Sequence, residues 1–232
     1  MSTTVIAGPV RRGPVVLTAR WFLTAQLRLA RWVWGVGVVL VAIGVAVYGA
    51  AAETVDASVA QYGMQALCWL PLSVFIGQAL GYLPAHVASG LTRRSLSRGA
   101  TVAAVGTALG YGVAFALVML VERTVYDVFG WTWAVGSDGA STASFLVACT
   151  AAFVLSSTAG LLVGIIYLRH GGWWGTLTLP LVVGPLVALM VFIPIVDDEQ
   201  LFLAAAVAVV GAVVAAAVYD RQVRGATVPP KR

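Results

Sequence analysis

Six stretches of this chain run for at least 20 residues without an acidic, lysine or arginine side chain: 32–52, 57–92, 99–121, 139–168, 170–196 and 200–219. No other feature narrows the possible folds as much. A helix of about 20 residues crosses the ~30 Å hydrocarbon layer of a bilayer. Isolated strands would leave backbone groups unpaired there, so helices are the expected element. Only 10% of the residues are charged, and the mean hydropathy is +0.95. A soluble domain carries about 25% charged residues, and one of this size could not hide so much apolar surface. The expected fold is an all-α integral membrane protein with six transmembrane helices, near 33–52, 66–88, 101–121, 144–168, 173–194 and 201–219.

The charges set the orientation. With the N-terminus inside, 13 of the 14 cations fall on inner segments: Arg11, Arg12, Arg20, Arg28, Arg31, Arg93, Arg94, Arg98, Arg169, Arg221, Arg224, Lys231 and Arg232. Arg123 alone lies outside. Eight of the nine acids (Glu53, Asp56, Glu122, Asp127, Asp138, Asp197, Asp198, Glu199) fall on the outer side, leaving Asp220 inside. Basic loops stay cytoplasmic, so both termini are expected in the cytoplasm. The formal charge of +5 then marks membrane orientation rather than nucleic-acid binding, with anionic inner-leaflet lipids as partners of the arginines. An Ala-x-Ala pattern at 50–52 suggests a signal-peptidase site. The preceding arm and apolar stretch are long for a signal peptide, so cleavage is not expected.

Three regions follow: a cytoplasmic arm with an interfacial helix (1–32), a six-helix transmembrane domain (33–219) and a cytoplasmic tail (220–232). In the arm, Arg20, Thr24, Arg28 and Arg31 recur on one helical stripe, with Trp21, Phe22, Ala25, Leu29 and Trp32 beside or opposite them. That pattern fits an amphipathic helix lying in the inner interface, its apolar side in lipid, and Pro14 suits its start. The alternative is one long tilted first span with snorkelling arginines.

Within the bilayer the small residues stand out. Gly77/Gly81, Gly106/Gly110 and Gly160/Gly164 each put two glycines on one helix face, for packing inside the bundle or for a dimer seam or moving contact. Pro71, Pro84, Pro180, Pro185 and Pro194 are expected to bend the second and fifth spans. Tyr126, Phe129, Trp131 and Trp133 suit an outer aromatic belt, with a lid over an exit path as the alternative. Gln78 and the run Ser156, Ser157 and Thr158 are the most polar intramembrane features. They serve either helix-to-helix hydrogen bonds or the lining of a path. Cys68 and Cys149 read as small apolar residues.

Catalytic patterns are missing from the sequence. It has no phosphate-binding Gly-x-x-x-x-Gly-Lys-[Ser/Thr] loop and no His-Glu-x-x-His zinc helix, and no Gly-x-Ser-x-Gly nucleophile turn. The only histidines, His86 and His170, fall near the inner surface. A rhomboid-type protease would need a histidine in a late span, and 201–219 holds none. The middles of the spans carry no acid or base for a proton relay. The expectation is a protein with no enzyme activity, no metal and no cofactor of its own.

The segment 86–100, HVASGLTRRSLSRGA, places three arginines and no acid between two apolar runs. Gly90, Leu91, Thr92, Arg93 and Arg94 resemble the second-to-third-helix turn of the ABC-2 type transporter permeases: a small residue, Gly, a variable residue, Ser or Thr, then Arg-Arg. Gly164, Tyr167, Arg169 and Gly171 are similar to the end of the fourth helix in that family. The resemblance implies the membrane subunit of an exporter driven by a separate ATPase subunit that binds ATP. It also implies a homodimer or a pair with a related permease, in a bacterial plasma membrane. A single lysine among the 14 cations, with abundant Ala, Val and Gly, agrees with a GC-rich bacterial genome.

The resemblance further implies that this turn forms a short coupling helix resting on the ATPase. Gly90 would break the preceding helix and Thr92 would cap the next. Arg93, Arg94 and Arg98 would face lipid phosphates or acidic ATPase residues. The alternative is that these arginines only fix orientation. Short re-entrant helices, common in the family before the last span, have only PIVDDEQ to form from. Apolar, uncharged spans suit a lipophilic or amphiphilic substrate. The competing function is a non-transporting scaffold or assembly protein that binds lipids or a cytoplasmic partner through its basic turns.

Overall fold

The computed structural model describes residues 13–52, 57–135 and 140–226. Arg11, Arg12, Glu53, Asp56, Asp138, Lys231 and Arg232 lie outside the described residues, so the expected positions of those charges rest on sequence. Among the described residues the chain is helical, with no strand: α1 Pro14–Ala51, α2 Ala60–Ala88, α3 Arg93–Phe129, α4 Thr142–Phe192, a 3-10 turn at Ile193–Ile195, and α5 Asp198–Arg224. All five α-helices are long and apolar enough to cross a membrane. The chain is therefore an all-helical, multi-pass membrane protein.

α4 is two arms rather than one rod. Straight, its 51 residues would extend about 76 Å, more than twice the hydrocarbon thickness. Gly171 breaks it with φ 78° and ψ 177°, angles outside any helix and within reach of glycine. Beyond it the chain turns back. The Tyr167 hydroxyl lies 2.9 Å from that of Thr176, and Gly175 gives the Tyr167 ring room, since a Cβ there would sit 2.5 Å from the ring. Val183, Leu186, Leu189 and Met190 of the second arm join one core with Phe145, Ala148, Cys149 and Ala152 of the first.

The first arm of α4 is the centre of the bundle. From Leu155 to Ile165 every residue is buried, as expected of a helix apolar all round. Gly160 and Gly164 admit α2: a Cβ on Gly160 would strike the Leu72 carbonyl oxygen, and one on Gly164 would lie 2.7 Å from that of Ile76. The other two glycine pairs pack nothing comparably. Gly77, Gly81 and Gly110 face open space, and Gly106 has only Leu23 Cδ2 at 3.7 Å. The prolines do not break their helices. Pro180 and Pro185 lie within α4, whose one non-helical residue is Gly171, and Pro71 and Pro84 fall inside α2.

Two expectations are corrected. First, the arm is not a separate interfacial helix, because α1 runs unbroken through residue 32. No second proline lies in α1 after Pro14, and a break would leave backbone groups unpaired beside lipid. Its side away from the arginines meets protein, not lipid. Thr18, Ala19, Phe22, Gln26 and Ala30 are buried, and Phe22 stacks on Phe75 with ring centroids 6.2 Å apart and meets Tyr82 edge-on at 5.0 Å.

The question of a re-entrant element, left open by the short PIVDDEQ link, is answered among the described residues: no re-entrant helix stands before α5. The link is the 3-10 turn, and Asp197 caps α5 by accepting from the Gln200 amide at 3.2 Å. Asp198 ties α5 to the start of α4, accepting from the Ser144 hydroxyl and the Ser141 amide. Those bonds, the Ser144 hydroxyl foremost, hold its carboxyl below the usual carboxylate range.

Second, of the aromatics at the end of α3 and just beyond it, Tyr126, Trp131 and Trp133 turn inward instead of forming a belt. Tyr126 is fully buried and donates to the Ala57 carbonyl at 2.9 Å. Trp131 covers Gly49, Trp133 donates to Glu122, and Phe129 remains outside, stacked on Trp131.

Glu122 organises this end. Only 3% exposed, its carboxylate accepts from the Val59 and Ala60 amides at 2.7 and 2.9 Å, from the Ser58 hydroxyl, and from Trp133 Nε1 at 3.1 Å. The first free amides of α2 thus bind a carboxylate from α3, where the helix dipole favours negative charge. Arg123 lies 5.6 Å over the Trp133 ring.

Glu122→Gln puts a donor amide where two donors already point. It is expected to cost about 2–3 kcal/mol, read as a lowered melting temperature of the purified chain. Gly160→Ala is expected to cost about 1–3 kcal/mol by overpacking, while Gly81→Ala leaves the melting temperature unchanged or slightly raised.

Candidate functional site: the basic end of the bundle

The turn from α2 to α3 is built by local rules. Ser89 ends α2, its hydroxyl donating to the His86 carbonyl at 2.8 Å. Gly90 takes the left-handed conformation, φ 76°, and the Leu91 amide reaches back to the His86 carbonyl at 3.3 Å. Thr92 caps α3: its hydroxyl oxygen accepts from the Ser95 amide at 3.2 Å. The helix it caps is α3 itself, 37 residues from Arg93 onward, not a separate short coupling helix. Ser97, Gly99 and Ala100 are buried against the bundle, so the first turns of α3 dock directly and the helix continues without a break.

Side chains from three elements meet here. The Ser97 hydroxyl donates to Asp220 Oδ1 at 2.6 Å, and Arg224 pairs with Asp220 Oδ2 at 2.6 Å. Arg93 Nη1 donates to the Arg224 carbonyl at 3.2 Å. Arg169, at the bend of α4, donates to the Gln222 carbonyl at 3.0 Å and to the Gln222 side-chain oxygen. Two guanidinium groups thus cover carbonyls in the last turn of α5, where free acceptors and the helix dipole favour cations. Burial raises the Asp220 carboxyl, but the Ser97 hydroxyl, Arg224 and Arg98 outweigh it and hold it below the usual carboxylate range.

The expected coupling residues therefore divide by role. Gly90 and Thr92 shape the turn, and Leu91 is half-buried beside them. Arg93 is half-buried and bound to α5, and Arg98 is exposed and acts on Asp220. Arg94 is exposed, and among the described residues no hydrogen bond or ion pair holds it. With Arg98, Arg169, Arg221 and Arg224 it forms a basic face, bordered by exposed Trp173 and Trp174.

Sequence reasoning missed His86 as a strut. Its ring is buried, with Nε2 3.2 Å from the Thr92 carbonyl and 3.1 Å from the Ser95 hydroxyl. The one available signal was a histidine closing an otherwise apolar run.

Elsewhere, Arg20, Trp21, Arg28 and Arg31 are exposed along α1. The polar intramembrane residues are used in packing. Gln78 donates to the Phe22 carbonyl at 3.3 Å and Ser156 to that of Cys68, while Ser157 and Thr158 bond back along their own helix. Cys68 and Cys149 are buried and unpaired with each other. Comparison of the chain with protein-family models, curated proteins and solved structures finds no match.

Arg169→Met removes one of the two cations from the end of α5. The expected loss is about 1 kcal/mol, seen as roughly fivefold faster hydrogen exchange at the Gly225 and Ala226 amides.

Proposed function

We propose that this chain is the membrane-spanning subunit of an ABC-2 type exporter in a bacterial plasma membrane. The two arms of α4 make separate crossings, six in all, with both termini in the cytoplasm. The basic end then faces the cytoplasm, where a separate ATP-hydrolysing subunit would bind it. A second copy, or a related permease, completes the path for a lipophilic or amphiphilic substrate.

The observation that carries this reading is the basic end itself. The start of α3, the α4 bend and the end of α5 carry five exposed arginines at one end of the bundle. Short bonds join the start of α3 to the end of α5, and the α4 bend to that same end. A force applied to the turn would pass to three helices through those bonds. Arg94, exposed beside the cap, is the cation available to an acidic partner surface.

One observation favours the scaffold reading instead. Gln78, Ser156, Ser157 and Thr158 are occupied in packing, which leaves a polar path without them.

Two measurements separate the readings. A cysteine placed at Ser89, in a chain whose native cysteines are buried, is expected to react with a membrane-impermeant maleimide only after the cells are opened. Co-expressed with ATPase subunits encoded beside its gene, the wild-type chain is expected to capture one of them. Arg94→Glu should reduce capture at least tenfold at unchanged membrane levels. Labelling from outside refutes the orientation, and equal capture by Arg94→Glu refutes the role of Arg94. If the wild type captures no ATPase, the scaffold reading replaces the exporter.

A further inference from the structure

α1 and α3 run side by side in parallel register. Gly99 lies against Thr18, Leu23 reaches Gly106, the Trp34 and Tyr111 rings meet at 5.5 Å, and Gly49 lies under Trp131. This register places Gln26 and Arg31 beside residues 106–114, the middle of the charge-free stretch 99–121. Arg31 is itself exposed, and a guanidinium held against apolar residues is expensive unless it has a partner. Among the described residues, no hydrogen bond or ion pair holds Arg31.

A cavity of about 310 Å³ lies there between the two helices, with Gln26, Arg31, Trp34, Gly106, Thr107 and Tyr111 in its lining. The absent side chains of Gly106 and Gly110 leave its floor open; nothing lies within 4 Å of a Cβ on Gly110. Gln26 and Thr107 are 2% and 6% exposed. Both polar atoms of the Gln26 amide and the Thr107 hydroxyl lack hydrogen-bond partners. Unmet polar atoms in an apolar wall are costly, and here three belong to two residues that line one cavity beside an unneutralised cation. Trp34 also borders a second, almost wholly apolar groove of about 530 Å³ between α1, α2 and α3, lined by Val36, Val41, Leu67 and Phe115 among others.

We propose that the α1–α3 cavity binds the phosphate-bearing head group of an anionic amphiphile, whose acyl chain occupies the adjoining apolar groove. Arg31 neutralises the phosphate. The Thr107 hydroxyl and the Gln26 Nε2 donate to its oxygens, and the Gln26 carbonyl oxygen accepts from a head-group hydroxyl. A neutral ligand would leave Arg31 uncompensated, and a soluble phosphate would leave the apolar groove unused. The inference rests on the membrane placement alone and holds whether or not an ATPase drives the chain.

The test uses the full chain in a neutral maltoside detergent, titrated with phosphatidylglycerol, phosphatidylcholine or glycerol 3-phosphate. Thermal unfolding and native mass spectrometry are read together. Phosphatidylglycerol is expected to raise the melting temperature and persist as a bound adduct, with little effect from the other two. Gln26→Leu and Arg31→Gln should each weaken apparent phosphatidylglycerol affinity at least tenfold, while Arg94→Gln, on the basic end, keeps the wild-type response. Without lipid, Gln26→Leu should melt no lower than wild type, because it removes an unpaired amide. Should it fail to fold, Thr107→Val is read the same way. Equal shifts from phosphatidylcholine, or an unchanged response in the cavity variants, would overturn the site. An equal shift from glycerol 3-phosphate would overturn the amphiphile in favour of a soluble phosphate.

Discussion

In hydrocarbon, every backbone amide and carbonyl must find a partner within the protein, and this fold is shaped by how its helix ends meet that demand. Helix interiors satisfy themselves, so the burden falls on turns. Thr92, Ser141 and Asp197 cap the starts of α3, α4 and α5 with their own side chains. At the start of α2, Val59 has no capping side chain and the Ser58 hydroxyl accepts only from the Gln61 amide, at 3.3 Å. The helix borrows the Glu122 carboxylate from 62 to 64 positions along the chain. The end of α5 likewise borrows guanidinium groups from Arg93 and Arg169. Borrowed caps do two jobs: they satisfy the backbone, and they fix which helix stands beside which.

Packing follows from those fixed ends. Once α2 is pinned against α3, Gly160 and Gly164 allow the α4 backbone to approach α2 closely, and dispersion contacts replace the hydrophobic drive that lipid does not supply. The first arm of α4 is surrounded for that reason. Its Ala, Ser and Gly positions present little bulk, so neighbours can close on all sides. The lipid-facing surface is left to the helices around it, with Val36 and Leu40 of α1, Val113 and Leu117 of α3, Leu181 of the second arm of α4, and Val210 and Val213 of α5 exposed.

What the sequence reveals depends on how local the controlling physics is. Apolar length made the spans legible, and steric rules made the Gly90 turn and the Thr92 cap legible, since both act within a few residues. Gly171 carried a signal too, as the glycine after Arg169 in a stretch too long for one crossing. The continuity of α1 was harder. The stripe of Arg20, Arg28 and Arg31 fits an interfacial helix on periodicity alone, and only the partners of Phe22 and Gly99 show that its other side is covered by protein. Glu122 resembled one more acid flanking a span, and Tyr126, Trp131 and Trp133 resembled a belt. Their true partners lie in distant sequence, beyond any window of periodicity.

The two ends of the bundle are held by interactions of different kinds. Opposite the basic face, a buried carboxylate meets neutral amide, hydroxyl and indole donors under a cover of aromatic rings. Water is excluded there, and each bond is correspondingly strong. At the basic end, exposed guanidinium groups meet carbonyls and one carboxylate, where water and salt weaken each contact. A local opening therefore costs less at the basic end than at the Glu122 end. If a cytoplasmic partner acts on this protein, the basic end is where competing carboxylates could replace Arg93 or Arg98 contacts without unfolding a helix. The Glu122 end would stay closed as the pivot. On that account the arrangement of caps, more than the length of any span, decides where the bundle can move.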